Sequence, residues 1–141
     1  MTKREREAFL ADVHIGIIGI ADAGRAPLTV PIWYAYEPGG LLTIVTSRAS
    51  RKGVLIEKER RFSLCAQTED APYKYVSVEG PVTAIEPIIE MDEVRALAHR
   101  YLGPQLGDMY IQSTGGPTDD DVTVRMQPER WLTVDYSKQF S

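Results

Sequence analysis

Residues 41–67 read LLTIVTSRASRKGVLIEKERRFSLCAQ, and their order of residue types sets a local architecture. Leu41-Leu42-Thr43-Ile44-Val45 has the apolar, β-branched composition of a strand. Thr46, Ser47, Arg48, Ala49, Ser50, Arg51 and Lys52 follow as a small, hydroxylated and basic turn. Ser50 is a good helix N-cap, because its hydroxyl can accept from amides that a helix leaves unpaired one turn on. A short helix is expected over about residues 51–60. Phe62, Leu64 and Ala66 then alternate with Ser63, Cys65 and Gln67, the period of a half-buried strand. This order gathers hydroxyls, free amides and the cations Arg48, Arg51 and Lys52 at the positive end of a helix dipole, an arrangement that suits a phosphate. Between Arg48 and Arg61 six Arg or Lys stand against Glu57 and Glu59, a local excess of four positive charges in a chain of net charge −4. A charge run alone reads as a solvated helix face. The hydroxyls and the strand–turn–helix context shift the reading toward an anion site.

Working outward, Thr2 and Glu5 have capping-box spacing, which predicts a helix over about residues 3–11. Residues 14–20 read as an Ile-rich strand. Gly16 and Gly19 do not have G-x-G-x-x-G spacing and no helix signal follows, so a dinucleotide loop is rejected. Residues 27–36 are read as one strand, with Pro31 at an edge or facing a ligand because proline cannot donate to a ladder. The turn at Pro38-Gly39-Gly40 makes a hairpin into residues 41–46. Residues 75–85 form a long strand broken at Gly80-Pro81. Residues 90–102 have helical spacing, with Gly103-Pro104 as the stop and a further turn or two expected over residues 105–112. Residues 113–121 are a loop. Residues 122–126 and 131–136 are two closing strands around a turn at residues 127–130. About seven short strands with helices in two gaps suit a small closed barrel rather than βαβ units, hence a mainly β, α+β fold.

With 141 residues, the simplest organisation is a single domain over 1–141. The acidic balance argues against general nucleic-acid binding. No apolar run approaches a membrane span, and the charged N-terminus lacks a signal-peptide core. A single cysteine, Cys65, fits a reducing cytoplasm. His14 and His99 lie in separate elements, so no metal site is expected. Cys65 has no base nearby in sequence and reads as a core thiol. Thin side-chain chemistry beside an anion-binding turn points to a cofactor that carries the reaction.

Ser50-Arg51-Lys52 with its short helix and Arg61-Phe62-Ser63-Leu64 is similar to the phosphate segment of the pyridoxamine-5′-phosphate-oxidase-like split β-barrels. Pro27-Leu28-Thr29-Val30-Pro31-Ile32-Trp33-Tyr34, Tyr75-Val76-Ser77-Val78-Glu79-Gly80 and Pro128-Glu129-Arg130-Trp131 extend the resemblance in order and spacing. That superfamily includes FMN enzymes and flavin/deazaflavin oxidoreductases. Its FMN oxidases hold the phosphate with an arginine on the second strand, where this chain aligns Val30. The Val-Pro-Ile-Trp pattern instead looks like the B-type branch that binds the deazaflavin coenzyme F420. The resemblance implies a homodimeric split β-barrel with cofactors at the interface. It implies an oxidoreductase that passes hydride from reduced F420 to an unsaturated small molecule. The alternatives are an FMN-binding relative of the oxidase, or a non-catalytic flavin- or haem-binding protein. By the same resemblance Pro31, Trp33, Thr46, Ser47 and Tyr75 join Arg48, Ser50, Arg51 and Lys52 as candidate cofactor contacts. The cations from Lys58 to Arg61 are expected to meet the coenzyme's acidic tail.

Overall fold

The capping box at Thr2 forms as the spacing requires. In the computed structural model, which describes residues 1–88 and 91–139, the Thr2 hydroxyl accepts the Glu5 amide at 3.1 Å. The Glu5 carboxylate in turn accepts the Thr2 amide at 2.8 Å. Helix α1 (Lys3–Ala11) leads into strands β1 (Gly16–Ile20), β2 (Leu28–Ile32), β3 (Ala35–Tyr36) and β4 (Leu42–Ser47). Helix α2 (Arg51–Glu59) follows, then β5 (Arg61–Gln67), β6 (Lys74–Pro87), α3 (Asp92–Thr114), β7 (Asp121–Met126) and β8 (Arg130–Asp135). A 3-10 turn at Tyr136–Gln139 ends the described chain.

The strands pair antiparallel in the order β2-β1-β5-β6-β7-β4-β3, with β8 added to β6. The sheet curls because β6 serves both halves. Its first part pairs with β5 and β8, and its last part pairs with β7. The handover falls at Gly80-Pro81, followed by a register shift between Val82 and Ala84. Gly80 is required here by close approach: a Cβ would lie 1.8 Å from the Gln127 carbonyl oxygen. Residues 127–129 cross at this point, the Gln127 amide donating to Pro81 and the Glu129 amide to Glu79. The strand therefore runs through the expected break, and the closing strands β7 and β8 pair with β6 rather than with each other.

Inward residues of alternating strands build the core: Ile18 and Ile20 of β1, Leu42 and Ile44 of β4, Leu64 and Ala66 of β5, Val76 and Val78 of β6, Val122, Val124 and Met126 of β7. Leu55 and Ile56 bring α2 onto it. Val30, opposite Ile18, packs against this core and so faces inward.

Two expectations are corrected. Residues 27–36 form two strands, because the chain leaves β2 after Ile32 and joins β4 through Ala35 and Tyr36. The Tyr101 hydroxyl stabilises this crossover, accepting the Tyr34 amide at 3.1 Å and donating to His14 O at 2.6 Å. This gives eight strands among the described residues rather than seven. The helix expected from Glu90 begins at Asp92 in the described chain, with Glu90 itself outside it. It stops at Gly103, φ 82°, as expected, and the second segment beyond this corner runs on to Thr114, longer than the turn or two expected. Pro31 lies on β2, the edge strand, as its missing donor requires.

The Glu5 carboxyl also accepts from Lys138 at 2.9 Å. The Lys138 hydrogen bond first, then the Thr2 contacts, hold its pKa at about 2, below the ordinary 4.5. A depressed carboxylate pKa stabilises the fold above the unfolded value and loses that contribution as pH falls through the folded one. Thermal unfolding should therefore show Glu5→Gln less stable than the parent at neutral pH, the gap closing near pH 2. A gap that persists in acid would contradict the assignment.

Candidate cofactor site

Strand β4 ends at Ser47, and the next three residues reverse the chain into α2. Ser50 sits in extended conformation at the N-cap, and its hydroxyl accepts the Gly53 amide at 3.0 Å. The same hydroxyl donates to Ser47 O at 2.7 Å and lies 3.3 Å from the Thr46 hydroxyl. The Arg48 amide donates to Asp120 O at 2.7 Å, fixing the turn to the loop before β7. Gly53 permits α2 to approach β4, since a Cβ there would stand 2.0 Å from Ser47 O. Helix geometry leaves the amides of Arg51 and Lys52 without acceptors inside the helix.

The cations around this end are not equivalent. Arg51 donates to Asp22 at 2.5 Å, which holds the Asp22 carboxyl below its ordinary range. Arg48 pairs with Glu57 at 3.4 Å. Lys52 has no carboxylate within ion-pair distance among the described residues, and burial pushes its ammonium pKa down. It is a half-buried cation without a counterion, next to free amides. A phosphate ester would satisfy both, so the residues present fit such a group.

Farther along the helix the expected excess charge is largely matched. Arg60, the left-handed C-cap of α2, pairs with Glu57 at 3.9 Å. Arg61 pairs with Glu129 at 2.9 Å and Glu79 at 3.7 Å. The expectation that residues 58–61 carry surplus cations for an acidic tail is corrected for Arg60 and Arg61. Their partners come from residues the local charge count did not include, Glu79 and Glu129, as well as from Glu57.

Trp33 follows β2 and stacks on Tyr101 of α3, with ring centroids 5.1 Å apart and planes 6° apart. Tyr110 tilts against it at 5.3 Å. Trp33, Tyr110, Val45, Val94 and Leu97 line a cavity of about 180 Å³ between β4 and α3. Val45 and Ser47 share one face of β4, about 7 Å apart along the strand. The aromatic cavity and the α2 N-terminus thus lie along one strand face. Thr46 is buried on the opposite face, its hydroxyl directed to Ser50, so it supports the turn. Pro31 and Tyr75 stand elsewhere, on the outer face of the β2-β1-β5-β6 half, and line neither cavity described here. Asp22, Tyr101 and Tyr110 escaped sequence reasoning. Each reaches the site from a distant element, and no local spacing marks it.

No family model and no curated protein matches the chain. Solved structures do share its fold. An F420 reductase superposes with a TM-score of 0.71 at 21% identity, over 89% of this chain and 94% of its own. A conserved hypothetical protein from Mycobacterium tuberculosis gives 0.75 at 23% identity, over 100% of this chain and 89% of its own. A pyridoxamine 5′-phosphate oxidase-type protein from Listeria innocua gives 0.66 at 10% identity, over 95% and 98%. The chain therefore has the fold of these structures, a split β-barrel. Among the described residues no helix is long and apolar enough to cross a membrane. No group of His, Cys, Asp or Glu there could hold a metal ion.

Proposed function

We propose that the chain is a homodimeric, F420-dependent oxidoreductase. The observation that carries this reading is Lys52, a desolvated cation at the N-terminus of α2 with no carboxylate in ion-pair distance among the described residues. It stands in the first turn of α2, which follows β4, the strand whose Val45 lines the Trp33 cavity. The free amides of Arg51 and Lys52, with the Lys52 ammonium, would hold a phosphodiester, which carries a single charge. Val30 faces the core, so no second-strand cation is there to meet the extra charge of an FMN phosphate. Trp33 and Tyr110 offer aromatic faces for a flat ring. When bound, the reduced deazaflavin supplies a hydride. The chain's part is to fix the phosphate end, orient the ring and keep water from it. The solved F420 reductase of the same fold supports this choice of cofactor. Titration of the purified protein with F420 and FMN, followed by turnover with reduced F420, tests it.

The dimer is proposed from the outer sheet face. The paired register sets Pro31, Ile17, Cys65, Ser77 and Leu132 in one row across β2, β1, β5, β6 and β8. Leu132 is 64% exposed there, with Ile17, Ile15 and Val13 exposed nearby. A sheet face with this many exposed apolar side chains suits a second copy of the chain. It would also bring Tyr75 and Pro31 to the interface. Light scattering should give a dimer at micromolar concentration, and Leu132→Lys should shift it toward monomer. A monomeric parent protein would contradict the dimer.

A further inference from the structure

A second and larger cavity, about 470 Å³, lies between α3 and the outer face of β3 and β4. Its volume falls in the range of small-molecule sites. It meets the Trp33 cavity at Val45 and Leu97, which line both. Ala35, Leu41, Val45 and Leu97 give it apolar walls. Two arginines line it, and they differ. Arg125 is matched by Glu93 at 2.5 Å and Glu86 at 3.6 Å, and donates to the Thr43 hydroxyl at 3.1 Å. Arg100 has no carboxylate within ion-pair distance among the described residues. Its terminal nitrogen donates to the neutral carbonyls of Ala11 and Asp12 at 3.0 and 2.9 Å. Its Nε is buried with no acceptor. The remaining acid of the lining, Glu37, is exposed to screening water.

An apolar cavity with one half-buried guanidinium lacking a counterion is complementary to a molecule of matching polarity. We propose that this cavity binds a small molecule with an apolar body and one acidic group, the acid held by Arg100. Its position beside the Trp33 cavity makes the bound acid the hydride acceptor. It would gain hydride at an electron-poor carbon from the reduced coenzyme and a proton from water. That last step alone rests on the oxidoreductase reading.

The test needs no cofactor, so its failure is distinct from a failed F420 titration. The probes are 8-anilinonaphthalene-1-sulfonate and its uncharged analogue N-phenyl-1-naphthylamine, followed by fluorescence. The sulfonate should bind the parent protein more tightly than the neutral probe, and added salt should narrow the difference. Arg100→Gln should weaken the sulfonate by about tenfold and leave the neutral probe unchanged. Because Arg100 also holds the C-terminus of α1, Ala96→Trp is the second variant. It fills the cavity, keeps every polar group, and should weaken both probes. Equal affinity of the two probes for the parent protein would overturn the proposal. So would sulfonate binding that survives Ala96→Trp, which would place the probe on the exposed sheet face.

Discussion

Gly53→Ala should cost roughly 1–3 kcal/mol of stability, the range for overpacking a tight contact. One added methyl group would sit 2.0 Å from the Ser47 carbonyl oxygen, against backbone that cannot swing aside as a side chain can. Relief requires α2 to withdraw from the end of β4. That movement breaks the Ser50 hydroxyl's bond to the Gly53 amide and loosens Leu55 and Ile56 in the core. The same movement displaces the amides proposed to bind phosphate, so affinity for the cofactor should fall together with stability. Urea unfolding and a cofactor titration on one preparation would show both. Val54→Ala, on the exposed side of the same helix, should change stability by no more than about 0.5 kcal/mol. A Gly53→Ala protein as stable as its parent would contradict the close approach of α2 to β4.

Lys52→Ala should weaken F420 binding by roughly 1–3 kcal/mol, or about 5- to 150-fold, the range for charge-assisted hydrogen bonds. Arg51→Ala should do less, because Asp22 already takes up the Arg51 charge. The effect carries a pH signature. Burial lowers the Lys52 pKa, so the ammonium is present below that lowered value and lost as pH rises through it. Binding should weaken over the same rise, and bound anion should draw the pKa back up. In Lys52→Ala this part of the pH profile should flatten. Equal losses in the two variants, or an unchanged pH profile, would return the turn to an ordinary solvated helix end.

Much of this was legible in the sequence, for local reasons. The capping box, the Ser50 cap, the alternation in residues 62–67 and the edge position of Pro31 each follow from contacts a few residues apart or from one residue's backbone chemistry. The strand that serves two halves of the sheet was not legible. Gly80-Pro81 reads as a break until Gln127 is seen crossing over it. The split of residues 27–36 likewise depends on a phenol from Tyr101. The same limit governed the site. The turn and its hydroxyls are legible, but which cations of the segment are ion-paired depends on Asp22, Glu79 and Glu129, which reach it only through the fold. Lys52 stands out because burial removes water from it and no carboxylate among the described residues lies within ion-pair distance in exchange.

The central claim is the choice of cofactor, and direct titration of the purified protein with F420 and with FMN tests it. F420 should bind more tightly than FMN, because one desolvated lysine and two free amides suit a singly charged phosphodiester. Val30 leaves the second strand without the cation that a terminal phosphate needs. Submicromolar binding of FMN with no measurable binding of F420 would contradict the account.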